Sequence, residues 1–108
     1  MIAITKFRAV AKHTLVGFFD ATLTNVQLSI RDIALHRFDE RYWISLPARP
    51  MFAADGTPII NARTGKQDYF AFLRFTTRSA HDSFERQALA ALRQTHPEAF
   101  SLEAEDVA

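Results

Sequence analysis

Apolar and polar positions alternate along most of the first half of the chain, the period of strands with one buried face. Ile2 and Ile4 alternate with Ala3 and Thr5, and Phe7 and Ala9 then fall opposite Lys6 and Arg8, so the first strand carries a one-residue slip. From His13 to Leu23, Leu15, Gly17, Phe19, Ala21 and Leu23 share one face, while Val16, Phe18, Asp20 and Thr22 form a mixed second face. Asn25 marks a turn, after which Val26, Leu28 and Ile30 oppose Gln27, Ser29 and Arg31. The phase then changes, since Ile33 and Leu35 are odd-numbered, and this predicts a bulge or bend near Asp32. Asp39-Glu40-Arg41 is a further polar turn, and Tyr42, Ile44 and Leu46 alternate with Trp43 and Ser45 until Pro47 stops the strand. Strands joined by short polar turns predict an antiparallel meander.

Between Pro47 and Gln67 the alternation breaks down, with Asp55-Gly56 and Thr64-Gly65 as turn dipeptides. A long loop in a small domain is a place to look for a partner. Asp68 to Phe75 reads as another strand, apolar on both faces until Arg74, and therefore as a central or interface strand. A helix follows, with Ser79 as the expected N-cap and Asp82 three residues on. Phe84, Ala88, Leu89, Ala91 and Leu92 make its apolar stripe, and Pro97 ends it. The expected fold is α+β: an antiparallel twisted sheet of about five strands, then one C-terminal helix. Residues 1–97 form the domain and residues 98–108 an acidic tail, expected to be frayed or docked only through Phe100 and Leu102.

With 108 residues there is room for one domain, and 48% hydrophobic with 23% charged residues marks a globular chain. No uninterrupted apolar run is long enough to span a membrane, and Met1 to Arg8 lacks the pattern of a signal peptide, so the chain reads as cytoplasmic. The absence of Cys removes disulfides, thiolate metal sites and cysteine nucleophiles. His13, His36, His81 and His96 have no metal-binding spacing, so no metal is expected. There is no Gly-x-Ser-x-Gly elbow, and three Gly residues cannot build a phosphate loop or dinucleotide fingerprint. A non-enzymatic protein without cofactor or small-molecule substrate is the expectation.

Charge separates along the chain. Residues 1–97 hold all 13 basic side chains and only 8 of the 12 carboxylates, so the body is mildly basic and the tail acidic. An Arg-lined helix can face phosphates, and a sheet with exposed aromatics can stack unpaired bases. Candidate contacts are Arg78, His81, Arg86 and Arg93 on the helix, with Arg49, Arg63 and Lys66 on the long loop. Taken singly, each is also what a solvated surface carries, and Trp43, Tyr42 and the ten Phe equally suit a core. The two readings are thus a nucleic-acid binder and a self-associating assembly module that uses the apolar surface of Phe70, Phe72 and the helix stripe.

The run Ile30-Arg31-Asp32-Ile33-Ala34-Leu35, then Tyr42 to Arg49 closing in Leu46-Pro47-Ala48-Arg49, then Asp55-Gly56 and Thr77-Arg78 before a helix, resembles the stage V sporulation protein G (SpoVG) family. The resemblance spans about residues 5 to 93, with residues 57 to 68 inserted and Ala48 in place of the family's hydroxyl residue. It implies a small sheet-then-helix domain that forms a homodimer, binds DNA or RNA and acts as a regulator. It also implies nucleic-acid contact at the start of the helix, where Arg78, His81 and Arg86 stand in this sequence.

Overall fold

A computed structural model describes residues 1–100 of the chain. The alternating segments form four antiparallel strands in chain order: β1 (Ile2–Lys12), β2 (Leu15–Leu23), β3 (Leu28–Phe38) and β4 (Arg41–Ser45). A two-stranded hairpin follows, β5 (Arg49–Pro50) with β6 (Tyr69–Phe70), then a helix, α1 (Arg78–Thr95), and a 3₁₀ turn at Pro97–Phe100. The fold is therefore α+β, with one C-terminal helix packed on the sheet.

The strand phases behave as the pattern predicts. β1 slips register between Ile4 and Lys6 against β2. On β3, Arg31 and Asp32 together oppose the single residue Asp20, because Ala21 pairs with Ile30 and Phe19 with Ile33. Asp32 occupies the left-handed region (φ 57°), and its N–H donates to Asp20 Oδ1 at 3.0 Å. That bulge lets Ile30 and Ile33, of opposite parity, face the same side. Val26, expected on a strand face, lies instead in the β2–β3 turn and is exposed.

One face of the sheet is buried under α1. Phe19, Ala21, Ile33, Leu35, Tyr42 and Ile44 pack against Phe84, Ala88 and Leu92, three residues at helical spacing. Each large side chain buried here contributes roughly 1.5–3 kcal/mol of hydrophobic stabilisation. Ala99 and Phe100 join the same core, so the packed unit runs past Pro97. Leu102 and the acidic residues Glu103, Glu105 and Asp106 lie outside the described residues. The helix starts two residues earlier than expected: Thr77, not Ser79, is the N-cap, and its hydroxyl accepts the Ala80 N–H at 3.1 Å.

The segment 68–75 does not become a central strand. Only Tyr69 and Phe70 pair, with Pro50 and Arg49, and Tyr69, Phe70 and Phe72 are exposed. At the outer edge of β4, the Ile44 N–H is instead taken by the Glu85 carboxylate from α1 at 3.2 Å, which occupies a donor that a fifth strand would need.

Residues 49–70 fold as an arm held by backbone bonds. Met51 N–H donates to Asp68 O, Asp68 N–H to Ile59 O, and Ile59 N–H to Met51 O, at 2.9, 2.8 and 3.0 Å, closing a ring of three segments. Its turns use Gly56 and Gly65 at φ 88° and 70°, where a side chain would be strained.

A close approach sets a test of the sheet. A Cβ at Gly17 would lie 2.4 Å from the Arg8 carbonyl oxygen, so β1 and β2 meet there only because the side chain is absent. Gly17→Ala is expected to lower unfolding stability by about 1–3 kcal/mol, read as a shifted denaturant midpoint; an unchanged midpoint would show that β1 does not pack at this position.

Candidate nucleic-acid interface

The helix cations do not form one continuous patch. Arg78 and His81 stand near the first turn, and Arg93 lies about 22 Å further along the axis at 1.5 Å rise per residue. Arg78 Nε sits 3.8 Å from Asp82 Oδ2, and His81 Nδ1 is 3.0 Å from Asp82 Oδ1. His81 Nε2 also approaches Glu85 Oε2 at 3.9 Å. The hydrogen bond from His81, with the charge of Arg78 beside it, holds the Asp82 carboxyl below its usual range. Arg86 is exposed, and its charge acts on Asp82 as well. The Arg93 guanidinium lies over the rings of Phe100 and Tyr42, 4.6 and 5.9 Å from their centres. All three loop candidates sit on the arm: Arg49 over the Phe70 ring at 5.4 Å, and Arg63 and Lys66 exposed in its second turn.

A denser arrangement lies on the sheet face that α1 leaves open. Alternation that sends Phe19, Ile33 and Ile44 into the core sends Phe18, Ala34, His36 and Trp43 to this side. The Arg8 guanidinium is 5.2 Å from the Phe18 ring centre, and that of Arg41 is 5.8 Å from the Trp43 ring. His36 and Trp43, cross-strand partners on β3 and β4, stack at 5.4 Å with 11° between their planes. Lys6, Arg8 and Arg31 surround a hollow of about 460 Å³ together with Phe18, Asp20 and Asp32. At the β4 rim, Arg41 and Trp43 share a cleft of about 240 Å³ with Arg78, His81, Asp82 and Glu85, so the open face and the helix start meet there.

Comparison with family models, with curated proteins and with solved structures finds no match to this chain. Its own geometry therefore carries the functional reading. Among the described residues, no group of three or more His, Asp or Glu side chains is placed to hold a metal ion, and no helix is long and apolar enough to cross a membrane.

Of the expected contact residues, the structure brings Arg78 and His81 to the rim beside Arg41 and Trp43. Arg86 lies one turn further on, where its charge also acts on Asp82; Arg93, at the far end of α1, and Arg49, Arg63 and Lys66, on the arm, stand apart from the rim. Lys6, Arg8, Phe18, Arg31 and Arg41 were not singled out from sequence. The signal was present as the mixed second face of β2 and as Trp43 at the opposite parity to Tyr42. The structure separates these two neighbours: Tyr42 is buried, Trp43 only half-buried.

His36 gives this face a pH dependence. Burial pushes its imidazole below the usual value, so it is neutral near pH 7, where its Nδ1 lies 3.0 Å from Thr14 Oγ1. Because the folded state resists protonation, this contribution to stability is present above the ordinary His value and lost as pH falls below it. Stability is expected to decline between about pH 7 and pH 5, and less so in His36→Phe, which keeps a ring against Trp43. Parallel profiles for the two proteins, measured by denaturant unfolding, would exclude this role.

Proposed function

We propose that the protein binds single-stranded nucleic acid across the open face of its sheet and the β4 rim, and regulates by occupying that strand as a homodimer. The observation that supports this is the pair of guanidinium-over-aromatic contacts, Arg8 with Phe18 and Arg41 with Trp43, on the face that the helix does not cover. A base finds a π-surface at each, and the adjoining phosphates find Arg8, Arg31, Lys6 and Arg41. Duplex binding would call for a helix or ribbon presenting cations as a row, and those of α1 are interleaved with Asp82 and Glu85. The likeness to the SpoVG family also supports a nucleic-acid partner, and its helix-start contact coincides here with the rim where Arg78 and His81 adjoin Trp43.

The assembly reading has one observation in its favour. Met51, Phe52, Ile60, Tyr69, Phe70 and Phe72, on and beside the arm, are all exposed large hydrophobic residues. The two readings part in solution: self-association without strand binding, seen by sedimentation at probe concentrations, would favour the arm as the functional surface.

Trp43 is the only tryptophan, so its fluorescence reports directly on stacking. Titration with oligodeoxythymidylate or oligouridylate is expected to quench it, with affinity falling as salt rises. Trp43→Ala is expected to cost about 1–3 kcal/mol. Arg8→Ala with Arg41→Ala should flatten the log–log salt slope by about 0.7 for each phosphate no longer neutralised. Arg93→Ala, at the end of α1 away from the rim, is expected to bind as the unaltered chain does. A loss at Arg93 as large as that at Arg41 would move the interface along α1, and unquenched fluorescence with no anisotropy change would overturn the proposal.

A further inference from the structure

Between the open face and the base of the arm lies a cleft of about 800 Å³, within the range of pockets that hold small planar groups. Its walls include Phe18 from β2 and Tyr69 and Phe72 from the arm side, with Leu46 and Pro47 at the end of β4. Among the residues lining it, Asp32 is the sole carboxylate. Asp32 stands at the bulge of β3, whose left-handed backbone is pinned by the bond from its own N–H to Asp20. Bulges re-aim side chains, and this one sets a carboxylate in an aromatic cleft, next to the hollow that Lys6, Arg8 and Arg31 share with Asp20. None of the ion pairs among the described residues uses Asp32.

An ionised carboxylate only accepts hydrogen bonds, and its two oxygens are best matched by two adjacent donors. Thymine and uracil place a single N–H between two carbonyls, which repel it. Adenine and cytosine offer one amino group beside a ring acceptor. Guanine alone presents two neighbouring donors, N1–H and the 2-amino group, on one edge. Resting on the single-strand reading, we propose that this cleft is a base-selective subsite, in which one unpaired guanine stacks between the aromatic walls and Asp32 reads its Watson–Crick edge.

The test uses the full chain and fluorescein-labelled oligodeoxythymidylates carrying one central guanine, hypoxanthine, adenine or cytosine, with ribonucleotide counterparts. Anisotropy titration is expected to give about ten-fold tighter binding for guanine, most of it lost with hypoxanthine, which lacks the 2-amino donor. Asp32→Asn offers one donor and one acceptor, the pattern that suits adenine, so the preference should pass from guanine to adenine. Asn tolerates the left-handed region, and a thermal melt checks that the variant folds. Equal, salt-dependent affinity for all probes would overturn the guanine subsite while leaving strand binding intact. An unchanged guanine preference in Asp32→Asn would overturn the role of Asp32. Binding to no probe would overturn both proposals, and displacement of the strand by free guanosine monophosphate at comparable concentration would overturn the strand-borne ligand in favour of a nucleotide pocket.

Discussion

One helix covers one face of a four-stranded sheet, and the rest of this molecule is organised around that limit. Strands about 4.8 Å apart make a surface that a helix about 10–12 Å across can shield from one side only. Phe84, Ala88 and Leu92 dock on Phe19, Ile33, Leu35 and Ile44, and the core is complete on that side. The opposite face must remain compatible with water while keeping strand-forming residues. It does so with side chains that are apolar in body and polar at the tip: Trp43 stacked on His36, and arginine guanidinium groups over Phe18 and Trp43. The same composition that solves the solvation problem makes a surface suited to bases and phosphates, so the functional reading follows from the incomplete layering of the fold.

The bulge at Asp32 links core to surface. Ile30 and Ile33 can both face α1 only if β3 gains a residue between them, and the extra residue is accommodated by a left-handed backbone. Asp20, directly across, accepts the freed N–H, so a ladder defect becomes a side-chain contact. A device needed for packing on one face therefore fixes the position of a carboxylate on the other.

The arm and the sheet edge show competition for the same backbone groups. Phe70, Phe72 and Tyr69 have the composition of a buried strand, yet they lie exposed while the Ile44 N–H on β4 is held by Glu85. Glu85 thus ties α1 to the edge and blunts it against pairing, a use of charge common at sheet edges. The arm in turn makes its own closed set of bonds among Met51, Ile59 and Asp68 and needs little buried apolar surface.

Local pattern alone was enough for the parts governed by short-range rules. The alternation of β1 to β4, the phase change at Asp32, the apolar stripe of α1 and the stop at Pro97 each depend on spacing and backbone chemistry that the chain carries wherever it folds. Tertiary structure decided whatever required two distant segments to compete or converge. Residues 68–75 stay off the β4 edge, where the Ile44 N–H is held by Glu85 of α1, and the choice between Tyr42 and Trp43 for the core followed the side that α1 occupies. Arg8, Arg41 and Phe18 became one surface only when pairing brought strands far apart in sequence side by side, because period-two alternation tells which residues share a face but not which face will meet water.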